Sequence, residues 1–287
     1  MTFVQSKNKC LLACNFIIFL CDNSKRFGPD RYLDHLMPLL LQALQNSDEV
    51  EVCTAAIGTV GDITRVMQGK ISKYCDQIIT VVLKAMQDPA LNRSIKPCMM
   101  SAVGDIALAL GTDFQRYLQA TMKMVYSASK ATEMLPNYAE DDDLVEYINE
   151  LHIGVLESFT GILNGLEGDI DQPGSSTVSV LLQFEVGPGV NAVHGIAEFL
   201  QRLSKCVGEN NKYAPGNGTA ESEVISSSVA LIGDIARLLK EQAKPYLPNE
   251  ITMPLIHECE MIPQDDESNY KNAQENAAYA KQKLSEC

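Results

Sequence analysis

Residues 52–67 read Val-Cys-Thr-Ala-Ala-Ile-Gly-Thr-Val-Gly-Asp-Ile-Thr-Arg-Val-Met, and the rest of the chain is organised around this stretch because it recurs. Residues 98–111 read Cys-Met-Met-Ser-Ala-Val-Gly-Asp-Ile-Ala-Leu-Ala-Leu-Gly, and residues 227–240 read Ser-Ser-Val-Ala-Leu-Ile-Gly-Asp-Ile-Ala-Arg-Leu-Leu-Lys. The common core, apolar-Gly-Asp-Ile, falls at Gly61-Asp62-Ile63, Gly104-Asp105-Ile106 and Gly233-Asp234-Ile235. The first two copies lie 43 residues apart, and the second and third 129, three times that interval. One Gly-Asp-Ile would carry no information. Three in phase define a period.

A period in the low forties carried on helical patterns is the signature of stacked HEAT or armadillo helix pairs. It predicts an all-α fold, a HEAT-repeat α-solenoid in which antiparallel helix pairs wind into a right-handed superhelix. Aligned on the Asp, one stripe at helical spacing reads Glu51, Ala55, Gly58, Asp62, Arg65 in the first copy. It reads Ser94, Cys98, Ser101, Asp105, Leu108 in the second and Glu223, Ser227, Ala230, Asp234, Arg237 in the third. The positions between are apolar, so each helix buries most of its circumference and leaves a strip of small residues around one carboxylate. That strip is expected to leave room for something to lie against it. The spacing favours pairing within the chain, Asp62 with Arg65 and Asp234 with Arg237, or a ladder between repeats, over direct contact with a partner.

Composition narrows the function. Of 287 residues, 46% are apolar and only 6% aromatic, so aliphatic side chains carry the packing. The net charge of −14 offers no basic stripe for nucleic acid. From Ala131 to Gln201 there is no Lys or Arg, while the same stretch holds thirteen acids, including Glu140, Asp141, Asp142, Asp143, Glu146, Glu150 and Glu157. Part of it reads as a solvated loop, and part as a helical surface whose field attracts cations. Nine cysteines without a CxxC pair read as reduced small hydrophobes of an intracellular protein. Neither a metal nor a cofactor is expected.

Residues 1–26 do not fit the repeat. The apolar run Cys10–Cys21 has the length of a signal-peptide core and is too short to span a membrane. It lacks a clear cleavage site, and the preferred reading is the remnant of a preceding helix or an aberrant start of a truncated longer protein. Residues 27–287 read as about five helix pairs. The expected helices are 30–45 with the following one capped by Ser47 or Asp48, then 73–86 and 94–110, and 114–130 and 144–166. A helix near 190–203 entered by Gly187-Pro-Gly189, the third signature helix, and the pair 247–259 and 268–285 complete the array.

Val52 to Asp62, Ser94-Ile-Lys-Pro97 with Gly104 to Gly111, and Tyr147-Ile-Asn-Glu-Leu151 with Thr160-Gly-Ile162 together resemble the C-terminal HEAT repeats of the importin-β (karyopherin-β1) family. The resemblance runs from about Arg26 to the C-terminus and corresponds to roughly the last third of such a receptor. It implies a nuclear import receptor, found in cytoplasm and nucleus and at the nuclear pore, whose concave inner helices grip the basic importin-β-binding helix of importin-α or a similar cationic cargo. Nucleoporins are implied as further partners, while the Ran-GTP site is expected mostly in repeats earlier than these. Carried over, the inner-surface positions are Asn149, Glu150 and Glu157, with Asp62, Asp105 and Asp234 on the signature helices. A family Trp that stacks on a basic side chain is replaced near its place by Tyr279, and this chain has no Trp.

Two other readings compete. A generic HEAT scaffold would share the fold and differ only in partner. An enzyme is disfavoured: His35, His152, His194 and His257 are isolated, and Gly187-Pro-Gly189 does not follow a strand as a phosphate loop would. His152 and His257 read as surface or satisfied residues. Glu150 and Glu157, seven residues apart on a helix, imitate a carboxylate pair at roughly 10 Å with no pocket implied.

Overall fold

The computed structural model describes residues 3–26, 30–131, 141–169, 176–208, 218–263 and 267–287. Its helices are α1 (Phe3–Asp22), α2 (Asp30–Leu44), α3 (Val50–Met67), α4 (Ser72–Met86), α5 (Ile95–Leu110) and α6 (Gln115–Ala131). They continue as α7 (Asp142–Gly165), α8 (Ser176–Gln183), α9 (Ala192–Gly208), α10 (Gly218–Leu239), α11 (Asn249–Glu260) and α12 (Glu267–Ser285). The helices stack in two layers. In one, α1, α3, α5, α7, α10 and α12 follow one another; in the other, α2, α4, α6, α9 and α11 do so. One apolar core runs between the layers for the length of the stack, with Phe114, Phe159 and Phe199 among its largest fully buried side chains. This is a HEAT-type solenoid.

The layers are not equally tight. Gly104 of α5 lies so close to α7 that a Cβ there would meet the Glu157 carbonyl oxygen at 2.5 Å, and a Cβ on Gly161 would run into the Gly104 backbone. Ser158 Oγ donates to the Met100 carbonyl across the same contact at 2.6 Å. In the other layer, grooves of about 650 Å³ and 470 Å³ open between α2 and α4 and between α4 and α6. The closely packed α3–α5–α7–α10 side is called the inner wall, in contrast to the grooved outer one.

Each signature helix ends the same way. Seven residues after the signature glycine, Gln68, Gly111 and Lys240 have positive φ (46°, 60° and 51°) and start a 3₁₀ turn leading to the next outer helix. Only Gly111 is a glycine, so Gln68 and Lys240 hold a conformation that L-residues rarely adopt.

Several local expectations are corrected. Glu49 precedes α3 as its cap residue, with no side-chain cap bond from Ser47 or Asp48. Asp141 caps α7, its carboxylate accepting from the Leu144 amide at 3.2 Å, so that helix starts earlier than the apolar pattern indicated. Gly187-Pro-Gly189 turns a short antiparallel hairpin, β1 (Glu185–Gly187) with β2 (Val190–Asn191), instead of entering a helix directly. The Tyr126 ring of α6 packs on Gly187 and Gly195, which holds the hairpin against the outer layer. α1 belongs to the inner layer, packed on α2 and α3. Among the described residues no helix is long and apolar enough to cross a membrane.

Candidate functional site

The inner wall is built from one exposed stripe per helix. On α3 the Arg65 guanidinium donates to Asp62 Oδ1 at 2.7 Å, the i,i+3 pair, and to Asp105 Oδ2 of α5 at 2.8 Å. One arginine thus ties two repeats together. Asp105 can lie over α3 because residue 61 is glycine: a Cβ there would stand 2.8 Å from Asp105 Oδ2. Burial pushes the Asp105 carboxyl above its ordinary pKa, Arg65 opposes that shift, and the nearby charges of Glu157 and Asp62 add to it.

On α7, Glu146, Glu150 and Glu157 are exposed along the same stripe. Burial and then Glu146 raise the Glu150 pKa. On α10, burial and then Glu157 raise that of Glu223. The Glu157 charge is thus felt both by Asp105 on α5 and by Glu223 on α10. Among the described residues Glu150, Glu157 and Glu223 have no ion-pair partner.

Asp234 and Tyr279 are placed differently. The Tyr279 hydroxyl of α12 donates to Asp234 Oδ1 at 2.9 Å and accepts from Arg237 Nε at 2.8 Å. Asn164 of α7 donates to Asp234 Oδ2 at 3.2 Å and accepts from Arg237 Nη2 at 2.7 Å. Arg237 also pairs with Glu167. The cluster joins α7, α10 and α12, and burial raises the Asp234 carboxyl despite its bonds to Tyr279 and Asn164. Asn149, 6% exposed, faces the interior, where it lines a cavity of about 20 Å³ with Leu203, Val224 and Ser228. The structure therefore brings Asp62, Asp105, Glu150 and Glu157 to one surface, engages Asp234 and Tyr279 within the stack, and turns Asn149 away. The room left by the small residues at Gly61, Gly104 and Gly233 is occupied by neighbouring inner helices, while Gly58 alone of these faces open space.

On the outer face three acids are engaged by residues of the next helix. Asp34 accepts from Tyr74 at 2.6 Å and Lys73 at 2.9 Å, Asp76 accepts from Tyr117, and Glu198 accepts from Tyr126 at 3.0 Å and pairs with Lys130 at 3.1 Å. These bonds cross from α2 to α4, α4 to α6 and α6 to α9. Sequence reasoning missed them, although the recurrence of an acid followed by Tyr 40 or 41 residues later was available as a signal. The acid-rich stretch 131–201 is thus divided between walls, Glu198 serving the outer one; Glu133 and Glu140 lie outside the described residues.

His152, expected at the surface or satisfied, is buried against the Phe199 ring, and burial followed by Arg202 pushes its pKa down to about 3. His35, His194 and His257 are exposed. All nine cysteines are free thiols; burial pushes Cys53 up to about 11 and Cys75 to about 12, which keeps them protonated. Among the described residues no group of His, Cys, Asp or Glu is arranged to hold a metal ion.

Residues 24–185, more than half of the chain, match the family model described as importin subunit beta-1-like, TPR repeats. Importin subunit beta-1 of Arabidopsis thaliana is 31% identical over 81% of this chain and 24% of its own length. The protein of the same name in Schizosaccharomyces pombe is 36% identical over 48% of the chain and 16% of its own length. A crystal structure of importin beta superposes with a TM-score of 0.71 at 21% identity over 88% of this chain and 27% of that one. The yeast Kap95p structure gives 0.67 at 23% over 93% and 27%. The match spans 16–27% of these relatives' own lengths rather than the third suggested by the resemblance. By the family match, with the HEAT-type stack shared by the solved structures, the chain belongs to the importin subunit beta-1-like family.

Proposed function

We propose that this chain is the part of a nuclear transport receptor that holds a cationic helix, such as the basic importin-β-binding helix of importin-α or a basic cargo segment, against its inner wall. The observation that carries this reading is the contrast between walls. The outer acids Asp34, Asp76 and Glu198 are held by Tyr and Lys partners, whereas Glu150, Glu157 and Glu223 stand exposed on the inner side with no ion-pair partner among the described residues. Asp105 and Asp62 extend the row toward α3. In this reading Asn149, Asp234 and Tyr279 shape and stiffen the wall that carries those acids.

Each partly desolvated Lys/Arg–carboxylate pair contributes about 1–3 kcal/mol, and each rim pair well under about 1 kcal/mol. Affinity then comes from many modest contacts and falls steeply with salt, because the Debye length is only about 10 Å at 0.1 M. A Lys/Arg-rich helical peptide titrated into the chain at low and at high salt tests the reading. Binding at low salt that disappears at high salt is expected, and no binding at low salt would favour a scaffold with another partner. The receptor role places the chain in cytoplasm and nucleus.

The outer grooves support a second partner class. They are lined by Leu44, Val81 and Leu91 in one case and Leu83, Met86 and Met124 in the other, and suit apolar side chains of an extended peptide. One structural neighbour is described as a Kap95:Nup1 complex, which is consistent with a nucleoporin as that peptide.

A further inference from the structure

We propose that Arg65 is a built-in competitor for the guest cation, an autoinhibitory contact that covers the α3–α5 end of the acidic wall until a sufficiently charged ligand displaces it. The inference rests on the inner-wall reading above and concerns its regulation.

The two wall arginines differ in how they are held. Arg237 is enclosed, its side chain 24% exposed, by Asp234, Asn164 and Tyr279 of α10, α7 and α12 and by Glu167 of the 3₁₀ turn after α7. That arrangement is a clamp, because releasing the arginine would strand a buried carboxylate and a half-buried hydroxyl. The Arg65 side chain is 60% exposed and, among the described residues, pairs with Asp62 and Asp105 alone. Exposed ion pairs of this kind contribute little and exchange readily with other cations. Glu157 also acts on Arg65 electrostatically, so the arginine sits within the field of the wall it would neutralise.

The contact is specific. Glycine at position 61 makes the space through which Asp105 reaches Arg65. Three residues after Asp105, where the first and third signature helices carry Arg65 and Arg237, α5 carries Leu108. Asp105 therefore has no arginine on its own helix and borrows one from α3. A guest arginine approaching Glu157 meets Asp105 already engaged. It gains that second carboxylate only by displacing Arg65, so Arg65 screens out weakly charged ligands.

The test compares Arg65→Gln with Arg116→Gln, a charge-matched change on the outer helix α6, in the full chain. The readouts are the Kd for a Lys/Arg-rich helical peptide at fixed salt and the thermal unfolding midpoint. Arg65→Gln is expected to bind about fivefold more tightly than Arg116→Gln. Arg65→Lys keeps the charge but cannot bridge both carboxylates as a fork, and is expected to fall between wild type and Arg65→Gln. Binding by the wild type with no gain in Arg65→Gln over Arg116→Gln, or a loss, overturns the role of Arg65 alone. No binding by wild type and variants alike overturns the inner-wall reading beneath it.

Discussion

Between α5 and α7 the backbones themselves touch, Gly161 against Gly104 and Gly104 against the Glu157 carbonyl. Between α10 and α12 the signature glycine, Gly233, instead faces the Tyr279 ring, and the neighbouring Asp234 is bound by Tyr279, Asn164 and Arg237. The same three-residue signature serves a dry backbone contact in one place and a polar side-chain clasp in the other. The glycine in each case removes a methyl group so that the next inner helix can come close. The aspartate differs in fate, shared across an open surface at Asp105 and enclosed at Asp234. The centre of the stack is therefore held by packing, its C-terminal end by a hydrogen-bonded network.

This difference sets the order of mutational effects. Gly161→Ala drives a methyl group into the Gly104 backbone, which cannot rotate away, and is expected to cost about 3 kcal/mol or more in denaturant unfolding. Loss of stability below about 1 kcal/mol would show that α5 and α7 are not locked together. On the other face of α7, His152 gives the centre a pH limit. Its folded pKa lies below its ordinary value of 6.5, so the unfolded chain binds the extra proton as pH falls. The stability it permits is fully present above pH 6.5 and is lost progressively toward pH 3. Replacing His152 with Gln should flatten the decline of unfolding midpoint between those pH values; an unchanged slope would place the titrating group elsewhere.

At the other junction, Tyr279→Phe removes one hydroxyl that serves both Asp234 and Arg237. It should cost about 1–3 kcal/mol, because a buried carboxylate loses a donor. Hydrogen exchange should then show α12 loosened with α5 and α7 still protected. The smallest effect has the opposite sign. Gly58→Ala places its methyl group in open space on α3 and is expected to stabilise by about 0.5–1 kcal/mol through helix propensity. The pair Gly161→Ala and Gly58→Ala thus makes one substitution read out two surroundings.

The repeat period, the helix pairs and most helix limits were legible in the sequence, because apolar spacing and a recurring signature report burial directly. The i,i+3 partners of Asp62 and Asp234 were also legible, since spacing on one helix fixes their distance. What was hidden depended on neighbours far along the chain. A ladder between repeats was expected, but not that Arg65 and Asp105, 40 residues apart, form it, nor that Tyr279 reaches Asp234, 45 residues away. The inward turn of Asn149 and the exposure of Glu150 are a matter of one step around the helix, finer than an apolar pattern resolves. The hairpin at 185–191 was missed because its strands are too short to show alternation.

Position in the wall is expected to outweigh total charge in setting affinity. The most direct measurement is the affinity of a Lys/Arg-rich helix for Glu157→Gln and for Glu185→Gln, which remove the same charge from the inner wall and from the exposed hairpin. The wall variant is expected to bind about fivefold or more weakly than wild type, and the hairpin variant within about twofold of it. Equal losses from both would contradict the account, since the peptide would then be responding to overall charge and not to the surface that α5, α7 and α10 assemble.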